Sequence, residues 1–309
     1  MSLHAALLYI LASATIFFCY RRLRRAHADP PLDIYTILKQ APRADSDDLG
    51  YKQPPLIAES IWVALGQELA CAADACPPFA AAQDTLVLTL KLPHTAKLIR
   101  RYPLLKVRAA EVMRNVLEAV LLRFGGIRGH AHFDHWTVLL AAGASGYLYG
   151  GNTQKLLAEA TAFASVAFHR ELSDFPDEVI HGCRNVMVRG SLSVWPTARL
   201  ASRALLYSAY SGMVAALAYG LETNVSGSEV RQLARESAAQ RWRWLQKRRL
   251  RPPTGYWSYG VTLCAARVVY VAVDPRTQKE VEVERAGVRE EESLLFDEGS
   301  IISPEKEKV

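Results

Sequence analysis

Cysteine is scarce and has no obvious pairing in this sequence. Five residues, Cys19, Cys71, Cys76, Cys183 and Cys264, are scattered over 309 positions. An odd, dispersed set excludes a disulfide-stapled secreted scaffold and favours a reducing compartment. Glycine (18) and proline (15) are too few for a collagen-like chain. Half the residues are hydrophobic and 22% are charged, which excludes a chain that stays unfolded. The phosphate-binding glycine loop, the dinucleotide fingerprint and the hydrolase nucleophile elbow are missing, as is any internal repeat. The acid in the chain is concentrated at one end. Residues 279–309 hold ten acidic and five basic side chains, a net of −5 that leaves +11 on residues 1–278. A basic body with an acidic tail points to anionic partners, either lipid headgroups or nucleic acid.

Leu3 to Tyr20 carries no acid, lysine or arginine. Eighteen residues span about 27 Å as a helix, close to the hydrocarbon thickness of a bilayer. Arg21, Arg22, Arg24 and Arg25 follow at once. A cleavable signal peptide has its positive charge before the apolar run, so this order predicts an uncleaved anchor. The arginines then mark the membrane interface, and the body falls on the cytosolic side. The mitochondrial outer membrane and the endoplasmic reticulum both fit. Residues 26–55 read as a Pro/Asp-rich linker, residues 56–225 as a mainly helical domain and residues 226–287 as a basic helix and β-hairpin. Residues 288–309 read as an acidic tail.

Within the body, Thr85–Leu92 alternates as a strand. Val107, Ala110, Met113, Leu117, Val120, Leu121 and Phe124 form the apolar stripe of a helix ended by Gly125-Gly126. Residues 204–221 carry no charge, and two readings stay open: a second membrane span, or a buried or membrane-surface helix. Asp274-Pro275-Arg276-Thr277 predicts a turn between strands at 266–273 and 279–285. The expected fold class is α+β, mainly α-helical. It comprises an N-terminal transmembrane anchor, a helical body, a C-terminal β-hairpin and a disordered acidic tail.

Three local motifs bear on chemistry. His130-Ala131-His132-Phe133-Asp134-His135 resembles the HxHxDH zinc signature of the metallo-β-lactamase fold, although that family needs a preceding strand and further downstream histidines. A smaller zinc site on His130, His132, Asp134 and His135 is the one cofactor candidate; the plainer reading is a polar loop of hydrogen-bonded histidines. Gly143-Ala144-Ser145-Gly146 resembles the serine turn of chymotrypsin-like viral proteases, with His94 and Asp134 in the right chain order. Cys71 and Cys76 lack the second pair that a tetrahedral site needs. None of these declares a reaction, and the chain reads as non-enzymatic.

Arg241, Arg243, Lys247, Arg248, Arg249 and Arg251 cluster around Trp242 and Trp244. Helical spacing places Trp244 among the cations and Trp242 on the apolar face with Leu245. Cations on phosphate with a ring on a base suit single-stranded RNA, and tryptophan at headgroup depth suits anionic lipid. The run Ala238–Arg249 resembles a Trp-containing stretch ending in Lys-Arg-Arg in tombusvirus accessory replicase proteins. The whole layout resembles the membrane-anchored accessory replication proteins of tombusvirus-like and nodavirus-like positive-strand RNA viruses. That resemblance implies a membrane-tethered RNA-binding scaffold whose partners are the membrane, single-stranded RNA, and a polymerase or further copies of itself. The alternatives are an organelle-membrane assembly protein that does not touch RNA, and a membrane-bound metal-dependent hydrolase.

Overall fold

The computed structural model describes residues 59–81, 83–140, 149–224, 233, 238–248, 260–273 and 280–290. The chain divides into two units, Met1–Ile57 and Ala58–Val309, and all the described residues belong to the second. Its order is α1 (Glu59–Asp74), β1 (Thr85–Lys91), α2 (Thr95–Arg101), α3 (Pro103–Phe124), β2 (Gly126–His132) and β3 (His135–Leu140). There follow α4 (Thr153–Glu171), α5 (Asp177–Cys183), β4 (Arg189–Trp195), α6 (Ala198–Asn224), α7 (Ala238–Lys247), β5 (Val261–Val273) and β6 (Glu280–Glu290).

The six strands form one antiparallel sheet in the order β4-β1-β3-β2-β5-β6. Its first four strands follow the split βαβ pattern, with helices between β1 and β2 and between β3 and β4. Strand β1 shows why. Leu86, Leu88 and Leu90 face α3 and α4 and join Val112, Val116, Leu117 and Phe168 in the main core. Val87 faces the other way and packs with Leu139, Trp195, Ala201 and Leu205 under α6. A strand buried on both faces is apolar along its whole length, and its period-2 pattern fades.

Helix α3 begins with Pro103 at its first turn and stops at Gly125, whose φ of 63° suits a residue without a Cβ. Its buried face is Leu105, Ala109, Val112, Met113, Val116, Leu117, Val120, Leu121 and Phe124. Val107, expected on the apolar stripe, is 79% exposed. The stripe is rotated at the helix's N-terminal end, where Leu105 takes the inward position.

The expectation of a mainly helical body on a membrane anchor is corrected by this sheet. His130 to His135, read as a polar loop, instead comprises the end of β2, a two-residue turn and the first residue of β3. Strands β5 and β6 do pair, but as the edge of the central sheet, with Arg128 opposite Cys264. Strand β6 runs to Glu290, so the acidic tail begins later than residue 288; residues 291–309 and the turn at 274–277 lie outside the described residues. Residues 204–221 belong to α6, and burial explains why they carry no charge: Ala204 and Leu205 meet the sheet and Leu217 meets α7. Among the described residues no helix is long and apolar enough to cross a membrane, which corrects the second-span reading. The expected anchor at residues 3–20, with Arg21, Arg22, Arg24 and Arg25, lies outside the described residues.

Leu88 is fully buried in the middle of β1. Replacing it by alanine is expected to cost about 2–5 kcal/mol in urea unfolding, through lost burial and a cavity. Val107→Ala is expected to stay within about 0.5 kcal/mol. Equal costs at the two positions would contradict the orientation of β1 and α3.

Candidate functional site

The turn between β2 and β3 is Phe133-Asp134, since His132 pairs with His135. Phe133 takes φ 43°, a left-handed value that costs a bulky residue about 1–3 kcal/mol. Its ring is buried against Ile99 of α2, which offsets that cost. The turn sets Asp134 beside the end of β1, where the Leu92 N–H donates to the Asp134 carbonyl at 2.7 Å.

Two side chains then meet one carboxylate. Lys91 Nζ lies 3.3 Å from Asp134 Oδ2, and His135 Nδ1 lies 2.9 Å from Oδ1. On its far side His135 Nε2 donates to the Ser208 carbonyl of α6 at 3.2 Å. Both ring nitrogens thus face oxygen atoms of the protein. Burial pushes the Asp134 carboxyl up, but its bond to His135 and the charges of His135 and Lys91 bring it below the usual carboxylate range.

Behind the turn, the face of β2 toward α6 is polar. His130 Nδ1 lies 2.7 Å from Thr262 Oγ1 of β5. Burial, and then the charge of His135, push His130 down to about 3, so its ring is neutral. Its Nε2 has no hydrogen-bond partner among the described residues, and a Cβ on the neighbouring Gly260 would fall 2.8 Å from it. His132 lies against Gly212 of α6, where any side chain would collide with the ring. The His130 and His132 ring centroids are 6.2 Å apart. Arg128 Nε donates to Cys264 Sγ at 3.1 Å.

The sequence motif is therefore gathered, but not as a ligand set. His130, His132 and His135 share one face of the β2–β3 hairpin, while both His135 nitrogens are engaged by Asp134 and Ser208. Among the described residues no three His, Cys, Asp or Glu side chains could hold a metal ion together. Of the serine-turn residues, Gly143 to Gly146 lie outside the described residues. Asp134 bonds to His135, and His94 caps α2. Cys71 and Cys76 are free thiols.

The basic helix forms as α7. Leu245 is 1% exposed and packs with Leu217 of α6 and with Leu233. Trp244 is half-buried against the same cluster, and Arg248 lies over its ring at 4.3 Å. Trp244 is thus shared between the apolar cluster and a cation. Arg241 Nε donates to the Leu233 carbonyl at 2.9 Å. Arg243, Lys247 and Arg248 are exposed. Arg249, Arg251 and the Trp242 side chain lie outside the described residues.

Sequence reasoning missed Lys91 and Ser208 as partners of the histidine segment. The alternation of His130, His132 and His135 about a two-residue turn was the available signal for a hairpin.

No family model and no curated protein sequence matches this chain. Among solved structures it is similar to a bacterial tRNA(His) guanylyltransferase (Thg1)-like protein in complex with ATP. The TM-score is 0.51 and the identity 11%, over 73% of this chain and 91% of that one. It is also similar to the tRNA(His) guanylyltransferase of Saccharomyces cerevisiae, with a TM-score of 0.50 and 11% identity over 65% of this chain and 89% of that one. The likeness is one of fold. It overturns the resemblance to viral accessory replication proteins, since the solved structures that this sheet matches are guanylyltransferase proteins, and the membrane-tethered replication scaffold falls with it. The organelle-membrane assembly protein, the membrane-bound hydrolase and the single-pass placement are corrected by the same fold, in which no helix among the described residues is long and apolar enough to cross a membrane.

The neutral, buried His130 makes stability depend on pH. Above about 6.5 neither state holds the proton; as pH falls toward about 3 the unfolded chain takes it up and the folded chain does not. Stability therefore falls through that window, by at most about 1.4 kcal/mol per pH unit from this group. Asp134 adds a loss of the same sign at lower pH. Urea midpoints between pH 7 and pH 4 should show a shallower decline in His130→Gln than in the parent. An unchanged slope would contradict the burial of a neutral ring.

Proposed function

We propose that this chain binds RNA through α7, on a fold that it shares with guanylyltransferases of transfer RNA. One observation supports this reading more than any other. A helix with no acidic residue, Ala238–Lys247, is fastened to α6 by Leu245 and Trp244, with Arg243, Lys247 and Arg248 left in solvent. The helix itself contributes no acid to this surface. Each phosphate that such cations contact releases condensed counterions. Fastening removes the entropy that a free basic tail loses on binding. Trp244, with Arg248 over its ring, offers a flat cationic surface to an unpaired base.

Filter binding of labelled single-stranded RNA to the full chain, titrated against salt, tests the reading. Log affinity should fall linearly with log salt concentration. The combined variant Arg243→Ala, Lys247→Ala, Arg248→Ala should reduce the magnitude of that slope by about 2, at roughly 0.7 per phosphate contact on a single strand. If the parent retains no RNA at low salt, or if the variant keeps the parent's slope, the assignment of α7 is wrong.

A further inference from the structure

Transfer of a nucleotidyl group from a triphosphate develops charge on phosphate oxygens. Polymerase-type sites meet that charge with divalent cations, which carboxylates hold. A fold shared with guanylyltransferases raises the question of where such carboxylates stand in this chain. Strands β1, β2, β3, β4 and β5 contain no Asp or Glu, and Glu280, Glu282, Glu284 and Glu290 lie on β6, the edge strand that β3, β2 and β5 separate from β1. Of the acids near the sheet, Asp84 precedes β1 at the opposite end from Lys91 and accepts the Ala81 N–H at 3.0 Å. Glu68 is held by Arg203, with Nη1 to Oε1 at 3.0 Å, and Glu171 accepts from Asn115 at 2.7 Å.

Among the described residues Asp134 remains, on the β2–β3 turn, with Lys91 at one oxygen and His135 at the other. In the sheet register Lys91 stands opposite His135 on β3 and opposite Arg189 on β4. This end of the sheet therefore gathers one acid, a lysine, an arginine and a histidine. A divalent cation arriving there would have to displace Lys91 and then sit beside like charges, with a single carboxylate as its ligand. Among the described residues, those at this end of the sheet do not fit a metal centre for nucleotidyl transfer.

We infer that this chain binds RNA without transferring a nucleotide, because Lys91 and His135 occupy the carboxylate that a divalent cation at the β2–β3 turn would require. The inference rests on the RNA reading above, and the two fail in different assays. The full chain is incubated with RNA and labelled GTP or ATP in magnesium or manganese. No label should enter the RNA, and RNA retention in EDTA should match that in magnesium within about two-fold. In parallel, free Mn²⁺ is followed by its electron paramagnetic resonance signal. The parent and Lys91→Ala should leave about 1 mM Mn²⁺ free, at the weak end of protein cation sites. Lys91→Asp, at a side chain 63% exposed, should create a second carboxylate beside Asp134 and bind Mn²⁺ at least ten-fold more tightly. Incorporation by the parent that Asp134→Asn abolishes would overturn the inference, as would stoichiometric Mn²⁺ binding by the parent that the same change removes. If Lys91→Asp gains no Mn²⁺ affinity, Lys91 is not the blocking group. Loss of RNA retention in every buffer would sink the RNA reading alone.

Discussion

The ion pairs of Asp134 join three parts of the molecule. The carboxylate sits on the turn of β2 and β3, Lys91 ends β1, and His135 reaches through to the Ser208 carbonyl of α6. Two strands and the covering helix are thus fixed to one another at a single partly buried charge. Removing one partner from such a group leaves a charge without its counterpart, which costs about 3–5 kcal/mol where burial is complete. Here solvent reaches Lys91, so His135 is the partner whose loss the structure would feel more.

Covering the second face of the sheet is what makes that end polar inside. Helix α6 lies over His132, and Arg128, His130 and Thr262 on the same strand pair are buried with it instead of being left to water. Those groups must then find partners within the protein, and most do: His130 with Thr262, Arg128 with Cys264 and His135 with Ser208. The same helix provides the apolar seat for α7 further along its length, through Leu217. One element therefore closes the face behind the turn and presents the basic surface. The exposed Arg243 and Lys247 contribute little to stability, about 0–1 kcal/mol each in any surface pair, so an anion bound there costs the fold little.

Much of the fold was legible locally and little of it globally. Strand β1 shows in TLVLTLK and helix α3 in its three-and-four spacing, and the β5–β6 pair shows in its turn residues. Strand β2 was hidden because GIRGHAH holds glycines that make room for α3 and histidines that face α6. Neither type carries a strand pattern. The sheet itself was hidden because β1 pairs with β4, and β2 with β5, across more than a hundred residues of sequence. The uncharged run in α6 suggested lipid because a helix buried against a sheet and another helix has the same composition as a marginal span. At the site, the basic cluster was legible from charge alone. The histidines were legible as a group, but their role depended on Lys91 and Ser208, which sequence spacing does not connect.

The central claim is that α7 meets RNA while the carboxylate end of the sheet does not act on it. Photo-crosslinking of the full chain to 4-thiouridine RNA, followed by peptide mapping, tests this most directly. The account predicts adducts within residues 238–248, including Trp244. Adducts confined to the β2–β3 turn, or none anywhere under conditions where RNA is retained, would contradict it.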